Sequence, residues 1–201
     1  MSNKLKVTAV SGSYKIPSRT TAIIDELTQR LGKQIPIDLH LIELSNIGPD
    51  LVASFDPANL PSNVQRDIKA IENADLLIVA TPVYRASYTG LFKHLFDLVN
   101  YESLIDVPVL LAATGGSERH ALIIDHELRP LFSFFQALTL PVGVYGTEAD
   151  FLNYKVSNPI LSARIDLAIE RALPFLNHRE YRSESYRELL NNNTTAKLAT
   201  A

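Results

Sequence analysis

Two spacings of apolar residues alternate along this chain. Leu5 to Val10 is a short, β-branched apolar run, and Pro17-Ser18 then opens a segment to about Leu31. In that segment Ile23, Ile24, Leu27 and Leu31 fall at helical spacing, with Gly32 as a stop. Ile35 to Leu44 sets Ile37, Leu39 and Leu41 against Asp38 and His40, the alternation of a strand near a sheet edge. Ser45 to Leu60 contains Gly48-Pro49 and Asp56-Pro57 and reads as a loop. Ser62 and Gln65 hold the reciprocal positions of a capping box, which predicts a helix to about Asn73.

The second half repeats the scheme. Asp75 to Thr81 and Val107 to Ala113 are near-continuous apolar strands, as expected where both faces of a parallel sheet are covered. Between them, Pro82 to Ser87 is a turn, and Thr89 to Val99 is a helix with Leu91, Leu95 and Leu98 on one face. Thr114-Gly115-Gly116 is a tight turn. Glu118 to Leu138 is one long helical pattern enclosing Pro130; Leu140 to Tyr145 is a fifth strand and Pro159 to Leu176 a final helix. Strands alternating with helices over short links predict an α/β domain, a parallel sheet with helices on both faces. Five strands fit the flavodoxin-like order 2-1-3-4-5. This domain spans residues 1–178. Residues 179–201 form a C-terminal extension in which Tyr181 to Leu190 suits one more short helix and Asn191 to Ala201 has no core-forming pattern, so it is predicted to be disordered.

Composition narrows the function classes. The 201 residues carry a net charge of -3, without the basic stripe of a nucleic-acid binder. The longest apolar runs, such as Asp106 to Ala113, are too short to span a bilayer. The N-terminus lacks the apolar stretch and cleavage site of a signal peptide, so a cytoplasmic location is expected. The absence of cysteine excludes a disulfide framework and thiol chemistry.

In an open α/β sheet, ligands bind at the carboxyl ends of the strands. The loops after strands one, three and four therefore carry the interest. The first, Ser11 to Thr20, is rich in hydroxyls and ends at a helix N-terminus, where free N–H groups and the helix dipole favour an anion. Ser11, Ser13, Ser18 and Thr20 can donate hydrogen bonds, and Arg19 adds a charge that suits a phosphate monoester. The plain alternative is that Ser18 only caps the helix and Arg19 points into water. The loop is neither a Walker loop nor the Gly-x-Gly-x-x-Gly fingerprint. In the second loop, Pro82 and Val83 offer a rigid apolar edge with backbone groups free to bond. In the third, Gly115 and Gly116 let a flat ring approach the backbone closely. His126-Glu127 is followed by Pro130 where a zinc protease needs its second histidine, and no metal site is expected. His40, His94 and His178 read as structural or exposed. Pro130 also deprives the His126 carbonyl of its partner, which a helix absorbs as a kink or a π-bulge.

Taken in order, Gly-Ser-x-x-x-x-Ser-Arg-Thr, Thr-Pro-Val-Tyr-x-Ala-Ser-Tyr-x-Gly and Ala-Thr-Gly-Gly-Ser resemble the motifs of the NAD(P)H-dependent FMN reductase family. The resemblance runs from about Lys4 to His178. Within the family the chain is most similar to the reductase partners of two-component alkanesulfonate and methanesulfonate monooxygenases. That resemblance implies FMN and NADH or NADPH as cofactors. It implies that Ser11, Ser13, Ser18, Arg19 and Thr20 hold the FMN phosphate. Pro82, Val83, Tyr84 and Arg85 would line the isoalloxazine, with Ser87 nearby, and Thr114, Gly115 and Gly116 would close the ring site. It implies release of FMNH2 to an FMNH2-dependent monooxygenase, and a homodimer or homotetramer. Some relatives of this kind carry an inserted tyrosine that forms a π-helix at a tetramer interface; His126 stands at the matching place, which implies an irregular helix there at a subunit interface.

Hydride transfer between nicotinamide and flavin needs position and exclusion of water rather than a protein acid or base, so no catalytic residue is assigned. Two other readings share the fold: a flavodoxin electron carrier, and a quinone or azo reductase with tightly held FMN. The modest charge and the Thr114-Gly115-Gly116 turn argue against the carrier. A receiver domain needs an acidic pair after strand one and an aspartate after strand three, where this chain has Ser11-Gly12-Ser13 and Thr81-Pro82.

Overall fold

The computed structural model describes residues 4–176, and the readings made for 179–201 lie outside them. At its centre β1 (Leu5–Ser11) pairs in parallel with β2 (Ile37–Glu43) on one side and β3 (Leu76–Pro82) on the other. β4 (Pro108–Gly115) follows β3, giving the order 2-1-3-4-5. The fifth position is shared by two short pieces, β5 (Leu138–Thr139) and β6 (Val144–Thr147), both paired with β4. The sequence predicts one strand here, Leu140 to Tyr145. Pro141 has no N–H to give to a ladder. At Gly143 a Cβ would lie 2.7 Å from Ile124 Cγ2, so this stretch has no room for a side chain there.

Both faces of the sheet are buried, and successive strand residues divide between them. Val10, Leu77, Val79, Val109 and Leu111 face one core, while Val7, Ala9, Ile78, Leu110 and Ala112 face the other. The second core is closed by α1 (Arg19–Gln34) and α6 (Pro159–Leu176). α1 continues past Gly32, because Ala22, Ile23, Leu27 and Leu31 already fix it on the sheet.

The first core is closed by α2 (Leu44–Val52), α3 (Ser62–Glu72), α4 (Gly90–Asp97) and α5 (Arg129–Phe134). α2 lies where a loop is expected. Its buried residues Leu44, Ile47, Gly48 and Leu51 follow helical spacing, and their burial outweighs the internal Pro49. Ser62 is not a capping residue: Pro61 occupies the cap position, Ser62 is the first helical residue, and no side chain caps α3. On the edge strand β2, Leu39 and Leu41 are exposed, and it is Ile42 on the opposite face that is buried.

The stretch read as one helix from Glu118 to Leu138 is broken into pieces. A 3₁₀ turn covers Glu118–His120, a π-helical turn covers Ile124–Leu128, and α5 follows. Pro130 cannot supply the N–H that the His126 carbonyl would take in an α-helix, and the wider π-turn accommodates the loss. α5 ends when Gln136 takes a φ of 54° and the Ala137 N–H reaches back to the Phe132 carbonyl at 3.1 Å. That turn delivers Leu138 to the sheet edge.

Phe132 is fully buried and meets the Phe96 ring edge-on at 5.0 Å, joining α5 to α4. Truncation of such a side chain costs about 3–5 kcal/mol. Phe132→Ala is therefore expected to lower unfolding free energy by that amount in urea denaturation; a loss below about 1 kcal/mol would show that α5 is not part of the cooperative core.

Candidate functional site

Because β1, β3, β4 and β6 are parallel, their carboxyl ends lie on one edge of the sheet. Ser11 is level with Ala80, Pro82 with Thr114, and Gly115 with Thr147. Four loops emerge there beside the point where the chain reverses its winding direction, between β1 and β3. They enclose a cleft of about 240 Å³. Ser13, Lys15, Pro17, Ser18, Arg19 and Thr20 line it from the first loop. Pro82, Val83 and Tyr84 come from the second, Thr114, Gly115 and Gly116 from the third, and Glu148 and Tyr154 from the segment after β6.

The polar end is built on the start of α1. Ser18 Oγ accepts the Thr20 and Thr21 N–H groups at 3.1 and 3.3 Å, so it caps the helix as any serine would. Its own proton remains available to donate. The buried Thr20 and Thr114 hydroxyls are 2.7 Å apart. One proton joins them, and the other is left for a further acceptor. Ser13 Oγ accepts the Lys15 N–H at 3.2 Å. Arg19 Nη1 pairs with Glu148 Oε1 at 2.8 Å, and Lys15 has no ion pair among the described residues. Ser11 does not line the cleft; fully buried, it holds Thr21 Oγ1 at 2.8 Å and fastens α1 to the end of β1.

The apolar end differs from the sequence expectation in two ways. The Val83 N–H is not free, since it donates to the Thr114 carbonyl at 2.7 Å. Tyr84 and Ser87 exchange backbone bonds at 2.9 and 3.2 Å around a two-residue turn, in which Arg85 and Ala86 take φ of 52° and 71°. Arg85 therefore sits at the loop tip, outside the cleft lining. Ser87 points away and donates to Glu127 Oε2 at 2.9 Å, tying this loop to the π-helical turn. Tyr14 meets the Tyr84 ring edge-on at 5.8 Å, while its hydroxyl accepts the Leu91 N–H at the start of α4.

The two glycines have different reasons. A Cβ on Gly115 would lie 2.1 Å from the Tyr145 hydroxyl, which donates to the Ser117 carbonyl at 2.7 Å. Gly115 is thus required by a neighbour within the protein. Burial, then the Glu118 carboxylate, push the Tyr145 hydroxyl above the usual phenol range. At Gly116 a Cβ would meet nothing within 4 Å, so this is the open floor that a flat ligand can reach.

His126 lies on the π-helical turn, exposed and outside the cleft. His40 pairs with Asp67 and His94 with the Leu51 carbonyl, whereas His178 lies outside the described residues. No group of three potential metal ligands occurs among the described residues. Four cleft residues escaped the sequence reading. Lys15 and Pro17 stand inside the loop whose hydroxyls drew attention. Glu148 and Tyr154 follow β6, and only the pairing of β6 with β4 brings them to the cleft.

Comparison with known proteins gives a consistent result. The profile of NADPH-dependent FMN reductases matches residues 5–151. Over 174 residues the chain is 59% identical to the NADH-dependent FMN reductase SfnF of Pseudomonas fluorescens (strain Pf0-1), covering 87% of this chain and 93% of that protein. It is 55% identical over 179 residues to an FMN reductase (NADPH) of Pseudomonas aeruginosa, covering 89% and 96%. Among solved structures, an oxidoreductase of Corynebacterium diphtheriae superposes with a TM-score of 0.77 at 32% identity, covering 87% of this chain and 98% of that one.

Gly115→Ala is expected to cost about 1–3 kcal/mol, the usual penalty of overpacking. In a Tyr145→Phe background the hydroxyl is gone and the penalty shrinks. Equal losses in both backgrounds, read from urea denaturation, would show that Tyr145 is not what keeps a side chain out of this position.

Proposed function

Since the chain belongs to the NADPH-dependent FMN reductase family and is an NAD(P)H:FMN oxidoreductase, we propose that this cleft is where FMN binds and from which FMNH2 leaves for a monooxygenase. The carrying observation is the composition of the cleft along its length. Cations and hydroxyls from Ser13 to Thr20 stand at one end, and Pro82, Val83 and the open Gly116 floor at the other. A phosphate fits the first end and a flat ring the second.

Bound FMN supplies the hydride-accepting ring, and NADH or NADPH supplies the hydride. The protein's share is binding and orientation. The Thr20–Thr114 hydroxyl pair and the Ser18 hydroxyl hold donors toward the phosphate. Val83 and Tyr84, fixed by their backbone bonds, would line the ring, and Tyr84, braced by Tyr14, would meet the nicotinamide.

Release rather than permanent retention of the flavin is read from the resemblance to reductases that serve a monooxygenase. The monooxygenase served is of the sulfonate or sulfone type, a reading that rests on the sequence resemblance. The NAD(P)H pool it would draw on is consistent with a cytoplasmic location, and no described helix is long and apolar enough to cross a membrane. The chain acts as a homodimer or homotetramer, with His126 at a subunit contact. In support, Leu122, two residues before the π-helical turn, and Phe134, at the end of α5, are 59% and 69% exposed.

Nicotinamide oxidation followed at its absorbance band is expected to be negligible with protein alone and to rise saturably with added free FMN. Protein that arrives yellow and gains nothing from FMN would favour a quinone or azo reductase with a retained flavin. Light scattering should give a mass of two or four chains, reduced by Leu122→Glu; a monomer at micromolar concentration would refute the interface.

A further inference from the structure

We propose that Glu148 is a built-in competitor for the FMN phosphate, an anion belonging to the protein that occupies Arg19 and keeps flavin affinity low enough for release. The proposal rests on the reading of the cleft as the flavin site. Arg19 is the cation at the start of α1, and its guanidinium is held by Glu148 Oε1 at 2.8 Å. A phosphate monoester placed at the same helix start carries a charge of about -1.5 to -2 at neutral pH. It would lie against the Glu148 carboxylate. To use Arg19 it must displace that carboxylate or share the guanidinium with it, and either way two anions remain side by side.

The position of Glu148 is not incidental to a loose loop. It opens the 3₁₀ turn Glu148–Asp150, and that turn is secured from behind by the buried Asp150 carboxylate. Asp150 Oδ2 accepts the Thr147 N–H at 2.6 Å and the Thr147 hydroxyl at 2.8 Å, while Oδ1 accepts Asn158 Nδ2 at 2.5 Å. The Asp150 carbonyl takes the Ser157 and Asn158 N–H groups at 2.9 and 3.2 Å. These bonds fix the backbone that aims Glu148 at Arg19. Glu148 itself is 72% exposed in side chain and Arg19 34%, so the pair is weak enough for a dianion to break. Lys15, with no ion pair among the described residues, can meet the phosphate while Arg19 changes partner.

The effect should be confined to the phosphate. With the carboxylate neutralised in Glu148→Gln, FMN is expected to bind about three- to tenfold more tightly, the range for one removed like charge near the surface. Riboflavin, which has no phosphate, should bind within about twofold of wild type. The experiment is titration of apo protein with FMN and with riboflavin, followed by flavin fluorescence, for wild type, Glu148→Gln and Glu148→Ala. Circular dichroism verifies that each variant is folded. Tighter FMN binding in both variants, with riboflavin unchanged and the gain shrinking at high salt, supports the proposal. Unchanged or weaker FMN binding overturns it while leaving the flavin site intact. An equal gain for riboflavin also overturns it, since the phosphate would then not be the competitor's target. Failure of the wild type to bind either flavin overturns the site reading itself, and the proposal with it.

Discussion

Everything at the functional edge depends on the parallel register of β1, β3 and β4. The three strands end nearly level, and the loops that leave them must share one small space. Gly12 marks how small it is: its N–H donates to the Ala80 carbonyl at 2.7 Å, and a Cβ there would press on Phe92 at 3.0 Å and Thr81 at 3.1 Å. Thr89 closes the contact by donating to the Gly12 carbonyl at 3.1 Å while capping α4. The sheet thus sets where the cleft lies before any ligand chemistry is considered.

Around that edge, polar groups of the loops mostly serve one another. Val83 gives its N–H to Thr114, Thr20 shares a proton with Thr114, Ser11 holds Thr21 and Ser18 caps α1. A buried polar group without a partner is costly, so the loops are ordered largely by these mutual bonds. What remains for a ligand is small: a few hydroxyl protons, two cations at one end and the bare backbone at Gly116.

The π-helical turn shows how one residue reshapes a neighbourhood. Pro130 removes a hydrogen bond, the helix widens over Ile124–Leu128, and Glu127 comes to lie within 2.9 Å of Ser87 on the loop between β3 and α4. Leu122, two residues before that turn, is exposed. One backbone irregularity is thus tied to a loop that lines the cleft.

The order of strands and helices, the alternation that buries both sheet faces, the last helix at Pro159–Leu176 and the hydroxyl-rich first loop were all legible in the residues, because they follow from local spacing and from the short links between elements. Spacing failed at α2, where Gly48 and Pro49 argue for a loop and only packing on the core argues for a helix. It failed at the sheet edge and after β4, where Gly143 and the Gln136 turn are read correctly only with their neighbours in place, although Pro130 did mark the π-helical turn. Nor could spacing show that the missing side chain of Gly115, a cleft residue, also makes room for Tyr145, 30 residues further on. Glu148 and Tyr154 could not be found in the sequence, since β6 must first pair with β4 to bring both to the cleft and Glu148 beside Arg19. Local sequence determined which elements form and which loop carries the hydroxyls; long-range pairing decided which distant charge faces that loop, because such a contact exists only once the sheet has closed.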